Sequence, residues 1–125
     1  MTGLERLTCL AEGLREFHKH PLKINGVSIG FDLGHWYCGY AACAIGHAAF
    51  IPKLAEEGLI LVRLDGAIKY PVFKYSTQWN AVEHFFGITH TVAHKLFSHR
   101  AYGVLDADAL TVAERIETYV EGAGE

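Results

Sequence analysis

The sequence predicts an α+β fold: a mostly helical single domain over residues 1–125, with a buried Ala/Gly-rich central helix and a small antiparallel β-hairpin sheet. Apolar residues recur at three- and four-residue steps near both ends of the chain, which is typical of amphipathic helices. β-Prone segments flank Asp65-Gly66, a strong hairpin turn. The segment 39–50 is almost entirely small or apolar, which predicts a helix buried on all sides.

Composition narrows the function classes. The 125-residue chain is 50% hydrophobic and 20% charged, which is enough to bury a core without disulfides or a metal. Its net charge of -3 disfavours an extended nucleic-acid partner. No apolar run approaches the ~20 residues that span a bilayer, and the N-terminus lacks a secretory signal, so we expect a cytoplasmic protein without a membrane partner. The three cysteines are an odd set, expected as thiols or ligands rather than as a disulfide framework.

The N-terminal part is predicted to form a helix followed by a tight turn. The helix runs from about Gly3 to His18, and its apolar stripe consists of Leu4, Leu7, Ala11 and Leu14. Pro21 ends it. Cys9 lies beside the stripe and is expected to be a buried thiol without a chemical role. Further on, the pair Asn25-Gly26 predicts a turn between two short extended pieces within residues 23–31.

The middle of the chain is predicted to contain the central helix and the hairpin. Periodicity cannot distinguish one face of the segment from Gly39 to Phe50, so we interpret it as one fully buried helix. Pro52 suits the first turn of a short helix through Glu57. Residues 59–64 and 67–75 are expected to pair as strands, with Pro71 at an edge or a bulge.

Three helices are predicted in the last third. Thr77 and Thr89 are the expected N-caps of helices that end at Phe86 and Phe97, and a last helix covers about 107–120. The first two form a helix-turn-helix pair. The second of them carries no Arg, so we interpret the pair as a packing hairpin rather than a DNA-reading element.

One resemblance adds to these patterns. The residues that carry it are Cys38-Gly39-Tyr40-Ala41-Ala42-Cys43-Ala44-Ile45-Gly46-His47-Ala48, Phe85-Phe86-Gly87-Ile88-Thr89, Leu96-Phe97-Ser98 and Val112-Ala113-Glu114-Arg115-Ile116. Over roughly residues 30–120, the chain resembles a loose group of small bacterial and phage-encoded proteins with a Cys-Gly-Thr-x-Ala-Cys-x-x-Gly-His/Trp-Ala segment and a Phe-Gly-Leu-Thr turn. The resemblance implies a shared fold and a phage or mobile-element connection, without a mechanism. Tyr40 stands where the group has Thr, so no role for that hydroxyl is carried over.

The first turn of the predicted central helix is the candidate site. Cys38 precedes a glycine there, where amide N–H groups and the positive end of the helix dipole favour a thiolate. A cysteine nucleophile so placed, with a histidine base from elsewhere, is a recurring hydrolase arrangement. The histidines that qualify by type are His47, His84, His90, His94 and His99. The competing interpretation is a thiol packed in the core.

A metal site is the second interpretation of the same stretch. His35, Cys38, Cys43 and His47 form H-x2-C-x4-C-x3-H. The cysteine spacing is wide for structural zinc, and an Ala-rich helix would have to keep two ligands in its interior. We therefore expect neither a metal nor a cofactor. The pair His90 and His94 lacks the catalytic glutamate of H-E-x-x-H.

The third interpretation, which we favour, is that this stretch binds a small anionic molecule. A glycine-led helix start can hold an anion, and the aromatic residues around it can stack on a ring. The hairpin can add positive charge from the side. The predicted ligand-binding residues are His35, Trp36, Tyr37, Cys38, Gly39, Tyr40, Lys69, Lys74 and Tyr75.

The sequence therefore favours a small non-enzymatic binding protein. Given the resemblance, it is expected to be a phage-derived factor that captures a nucleotide-like or other anionic small molecule, or that blocks a host defence protein. The alternative from another class is a cysteine-dependent hydrolase or transferase that uses Cys38 and a distant histidine. A second alternative is a homodimeric protein-interaction module, in which the apolar excess forms the contact.

Overall fold

The first helix contributes four buried apolar residues to the core. A computed structural model describes residues 1–103 and 107–123, and in it α1 spans Gly3–Lys19. A capping box starts this helix: the Glu5 amide donates to Thr2 Oγ1 at 3.1 Å, and the Thr2 amide donates to Glu5 Oε1 at 2.9 Å. The buried residues of α1 are Leu7, Leu10, Ala11 and Leu14, which confirms the predicted stripe except at half-buried Leu4.

The remaining elements follow in short steps. In chain order they are β1 (Lys23–Ile24), β2 (Val27–Ser28), β3 (Gly30–Phe31), β4 (Ala41–Ala42), α2 (Ala44–Ala48), α3 (Pro52–Glu56), β5 (Ile60–Asp65), β6 (Ile68–Phe73), β7 (Ser76–Thr77), α4 (Gln78–Phe86), α5 (His90–Phe97), a 3-10 turn (His99–Tyr102) and α6 (Ala109–Ala123). This order confirms the α+β class. No helix in residues 1–103 and 107–123 combines the length and the apolar character needed to cross a membrane.

The central helix is shorter than predicted. It begins at Ala44 and not at Gly39, because residues 38–43 form a turn and then β4, which pairs in parallel with β3. Gly39 has a φ of +96°, a value that an α-helix does not use. All five residues of α2 are buried, so the buried Ala/Gly-rich helix is confirmed, but it begins five residues later than predicted and ends at Ala48 rather than Phe50.

Gly46 explains why the helix is built from small residues. A Cβ at this position would lie 1.9 Å from the carbonyl oxygen of Trp36 and 2.8 Å from the Cβ of Ala42. The 35–42 loop therefore rests directly on the backbone of α2. Only glycine permits that approach.

The hairpins agree with the turn signals. Asn25 and Gly26 have φ of 51° and 80°, as a tight turn between β1 and β2 requires. In the larger sheet the order is β5-β6-β7, with both pairs antiparallel and an irregularity between Arg63 and Asp65. The strand β6 lies in the middle of this sheet, so Pro71 is not in an edge strand. The short strand β7 pairs with Val72 and Phe73, and Pro71 lies just beyond the end of that pairing.

The C-terminal helices close the core. Thr77 and Thr89 are N-caps as predicted, and the Thr89 hydroxyl accepts from the Val92 amide at 3.2 Å. The last helix starts at Ala109 and not near 107, since Asp108 accepts from the Thr111 amide at 2.8 Å in the manner of a cap. Helix α1 packs on α6, and α4 packs on β6, so that one core lies between helices and sheet.

Candidate functional site

The predicted site residues separate along the fold. Tyr37 is buried under the β5–β6 hairpin, where its carbonyl accepts from the Lys69 amide at 3.0 Å. A Cβ on Gly39 would lie 2.9 Å from the Cβ of Ala67 at the hairpin tip, while Tyr40 is 69% exposed. The residues from Tyr37 to Tyr40 therefore do not face one common ligand position.

The hairpin residues do not join the aromatic residues around a shared ligand position. The Lys69 ammonium lies 5.4 Å from the centroid of Tyr37 and covers that ring. The Lys74 ammonium lies 5.2 Å from the ring centroid of Phe73, and Tyr75 is fully exposed on the turn between β6 and β7. The two lysines thus cover rings of the protein itself.

Cys38 does not stand at a helix start. It is half-buried in the turn before β4, and its Sγ lies 3.5 Å from the carbonyl oxygen of Ala41. The premise of an amide-activated Cys38 is therefore wrong. In residues 1–103 and 107–123, no hydrogen bond joins Cys38 to a histidine.

Cys43 takes the position that was predicted for Cys38. It is the N-cap of α2, but burial raises the pKa of its thiol to about 11, outweighing the opposing effect of the Gly46 and Ile45 amides. The thiol is therefore uncharged near neutral pH. Its Sγ lies 4.0 Å from the carbonyl oxygen of Trp36.

The four residues of the H-x2-C-x4-C-x3-H pattern do not form a metal centre. Within the described part of the chain, no group of three or more His, Cys, Asp or Glu residues is placed to hold a metal ion. The His47 Nδ1 lies 2.9 Å from the carbonyl oxygen of Cys43, which occupies one of its two ring nitrogens.

Two of the predicted residues, His35 and Trp36, line a cleft that sequence analysis did not foresee. We call it the tryptophan cleft, and its volume is about 340 Å³. It is lined by Leu33, Gly34, His35, Trp36, Cys43, Trp79, His94, Phe97, Ser98, His99 and Arg100. Both tryptophans of the chain lie here.

Three aromatic rings in mutual contact form one wall of the tryptophan cleft. The Trp36 and Trp79 ring centroids are 5.0 Å apart at an interplanar angle of 63°. The imidazole of His94 stacks on Trp79, with centroids 3.9 Å apart and an angle of 25°. Helices α4 and α5 therefore bring Trp79 and His94 against the loop before α2.

His94 carries an unsatisfied polar atom. Its Nε2 is buried and has no hydrogen-bond partner among the described residues. Leaving such an atom unpaired costs about 1–3 kcal/mol. Burial, and next the charge of His90, lower the pKa of His94, while Glu83 acts in the opposite direction. His90 in turn places Nδ1 3.1 Å from Glu83 Oε2.

The lining of the tryptophan cleft contains several basic side chains. No acidic side chain belongs to this lining in the described part of the chain. His99 and Arg100 come from the exposed 3-10 turn after α5. His35 stands opposite in the lining, with Nε2 3.8 Å from Asp32 Oδ2 just outside it. An anion placed in this cleft would therefore meet hydrogen-bond donors and no carboxylate of the lining.

Sequence reasoning missed half of this site for a physical reason. The sequence places Trp79 within the helix that begins after Thr77, and it places His94 both in an i,i+4 pair with His90 and among the histidines that qualify by type as a base. Their contact joins two different helices, and no local pattern encodes it. The one available signal was that a large aromatic residue and a histidine each lie near the apolar stripe of neighbouring helices.

Comparison with known proteins finds no relative of this chain. A scan against protein-family models finds no match, and searches of curated proteins and of solved structures find none either. The resemblance to small bacterial and phage-encoded proteins therefore stays a hypothesis.

Proposed function

We propose that this chain is a small non-enzymatic binding protein that captures a nucleotide-like anionic molecule in the tryptophan cleft. The observation that carries the proposal is an aromatic wall in which Trp36 meets Trp79 edge to face and His94 stacks on Trp79, while the buried His94 Nε2 has no partner among the described residues. A bound hydrogen-bonding group or a water at that nitrogen would remove the cost of the unpaired atom.

The shape of the cleft supports a ring-bearing ligand of limited size. Flat aromatic walls bind bases through stacking, at about 1–3 kcal/mol for each base. The volume of about 340 Å³ is at the small end of ligand sites. A single nucleotide or a comparable metabolite is therefore favoured over a polymer.

The charges near the cleft support an anion. Arg100 is exposed at the rim, beside His99 on the same 3-10 turn. A guanidinium binds phosphate or carboxylate in a bidentate manner, and two imidazoles can add donors. The base would then lie against the tryptophans while the anionic group faces the 3-10 turn.

Tryptophan emission gives a direct test, because both tryptophans of the chain line the cleft. Adenosine monophosphate is titrated in, with adenosine and inorganic phosphate as partial ligands. We expect saturable quenching by the monophosphate, at least about tenfold weaker binding of adenosine, and a further loss at high salt.

A matched pair of variants locates the binding. Arg100→Gln removes the proposed anion contact and should weaken monophosphate binding by about tenfold. Lys74→Gln removes one positive charge outside the cleft and should leave the affinity unchanged. The proposal fails if the wild-type emission does not respond, or if Lys74→Gln is the variant that loses affinity.

The cysteine-dependent hydrolase has less support. Cys38 lies in a turn without a histidine bonded to it in the described residues, and the buried Cys43 thiol is uncharged near neutral pH. A thiol nucleophile requires its thiolate form. These positions support a cysteine nucleophile less than the tryptophan cleft supports binding.

A second candidate function, a homodimeric protein-interaction module, is favoured by one surface. On the β5–β6 hairpin, Ile60, Leu64 and Ile68 are exposed by 50%, 63% and 47%. Exposed apolar patches often mark interaction sites. Light scattering after size exclusion tests it: a dimer that Leu64→Lys converts to a monomer supports the module, and a wild-type monomer contradicts it.

A further inference from the structure

A second cleft, independent of the first, surrounds the histidine of α2. We call it the phenylalanine cleft, with apolar walls of Phe17, Ile29 and Phe31 and polar groups of His18, His47 and Asp108. Its volume is also about 340 Å³. Among the described residues, none that lines this cleft also lines the tryptophan cleft.

His47 is held in one orientation inside the protein. Its side chain is 2% exposed, and its ring lies between Phe17 and Phe31 with centroids at 5.2 Å and 5.3 Å. The Nδ1 atom lies 2.9 Å from the Cys43 carbonyl oxygen. A carbonyl oxygen only accepts, so Nδ1 carries the proton and donates.

The other ring nitrogen of His47 is then an acceptor. Burial lowers the pKa of His47, which keeps the ring neutral near neutral pH. With the proton on Nδ1, Nε2 presents a lone pair, and the described residues give it no hydrogen-bond partner. An acceptor on a nearly buried side chain that lines a cleft can take a hydrogen bond from a ligand that brings a donor.

We propose that the phenylalanine cleft binds a small apolar molecule that carries a hydroxyl group, with the hydroxyl donating to His47 Nε2 between the rings of Phe17 and Phe31. The walls take up the apolar body by burial and by edge contacts with the two phenyl rings. A phenol-like ring satisfies both requirements.

The polar rim argues against an anionic ligand at this second site. Asp108 lines the cleft, and the hydrogen bonds from Thr111, followed by the charge of His18, lower the pKa of its carboxyl. The carboxylate is therefore ionised near neutral pH and repels a second negative charge. His18 is exposed and lies at the same rim.

The test compares 4-ethylphenol with its methyl ether, 4-ethylanisole, which has the same body and no donor. Calorimetry measures affinity, and the ring nitrogen signals of His47 in NMR report the contact. We expect the phenol to bind at least about tenfold more tightly and to shift the Nε2 signal of His47. Equal affinities would overturn the hydrogen bond, and the absence of binding by either compound would overturn the site.

Two exposed neighbours on β2 give a matched control for the location. Ser28 lines the cleft, and Ser28→Trp should fill its mouth and reduce phenol affinity by at least about tenfold. Val27, exposed and outside the lining, should tolerate Val27→Trp without a change in affinity. The reverse pattern, or no effect of Ser28→Trp, would overturn the location. Because the clefts share no residue, this result and the monophosphate titration succeed or fail separately.

Discussion

The tryptophan cleft and the phenylalanine cleft have the same volume, about 340 Å³, but offer opposite chemistry to a ligand. The first combines indole faces with His99 and Arg100, so its polar groups are donors. The second combines phenyl faces with the acceptors His47 Nε2 and Asp108, and has His18 and Ser28 in its lining. The neighbours of each histidine, rather than the histidine itself, therefore decide what each cleft can bind.

The two histidines make the difference explicit. Burial lowers the pKa of both His47 and His94. The Cys43 carbonyl fixes the tautomer of His47, whereas His94 rests on Trp79 with its Nε2 unpartnered in the described structure. A ligand can choose the tautomer of His94 but not that of His47.

The largest effect is expected from Gly46→Ala, which should damage both clefts together. Its Cβ would lie 1.9 Å from the Trp36 carbonyl oxygen, so Trp36 and the adjacent His47 must both move. We expect a loss of about 3 kcal/mol or more in the free energy of unfolding by urea, with both ligands lost.

Gly122→Ala is the control for that substitution. A Cβ at Gly122, which lies within α6, meets no atom of residues 1–103 and 107–123 within 4 Å. The variant should be neutral or more stable by up to about 1 kcal/mol. Equal losses in the two variants would show that the approach of the loop to α2 is not what matters.

Trp79→Leu should separate the two clefts. It removes the ring that joins Trp36 to His94. A base that stacks on an aromatic side chain gains about 1–3 kcal/mol from that contact. Monophosphate affinity, followed by calorimetry, should fall by roughly tenfold or more, while phenol affinity stays unchanged. Tyr75→Leu removes an exposed aromatic residue of the predicted site and serves as the control, with no change expected for either ligand.

Acidification should destabilise the protein through the two histidines. Their folded-state pKa values lie below the ordinary value of 6.5, so the unfolded chain binds more protons as the pH falls through that value. The contribution of the two histidines to the free energy of unfolding should have its full value above about pH 6.5 and decrease below that pH. Carboxyl groups whose pKa is lowered, such as that of Asp108, lose their contribution to stability only at more acidic pH.

Urea unfolding between about pH 7.5 and pH 5.5 measures this slope. His47→Gln should flatten it, and His94→Gln should flatten it less because that ring is only partly buried. A slope that is unchanged in His47→Gln would contradict a neutral His47 in the folded protein.

The smallest effect is expected from the helix cap of α5. Thr89→Ala removes the acceptor of the Val92 amide and should cost about 1 kcal/mol, with a slight loss of monophosphate affinity because His94 lies one turn further along. Thr2→Ala is the matched cap variant at α1, far from the stack. It should cost a similar amount in chemical unfolding and leave monophosphate affinity unchanged.

Local signals made a large part of the fold predictable. The stripe of α1, the Asn25-Gly26 turn and the caps at Thr77 and Thr89 each depend on residues within one or two turns of each other. The start of α2 was not predictable in the same way. Residues 38–43 look helical by composition, but β4 pairs with a strand eleven residues earlier, and that partner overrides local preference.

The candidate site was predictable only at its edge. His35 and Trp36 were chosen for their residue types, and they do line a cleft. The remaining predicted residues lie elsewhere because the hairpin packs Lys69 over Tyr37. Trp79 and His94 reach the cleft through the packing of α4 and α5, a tertiary contact without a sequence period.

One NMR experiment tests the central claim, that the two clefts prefer opposite ligands. Adenosine monophosphate and 4-ethylphenol are added in turn to the same sample, and the imidazole nitrogens of His47 and His94 are followed. We predict that the monophosphate shifts the signals of His94 alone and the phenol those of His47 alone. Shifts of the same histidine by both ligands, or of neither by either, would contradict the account.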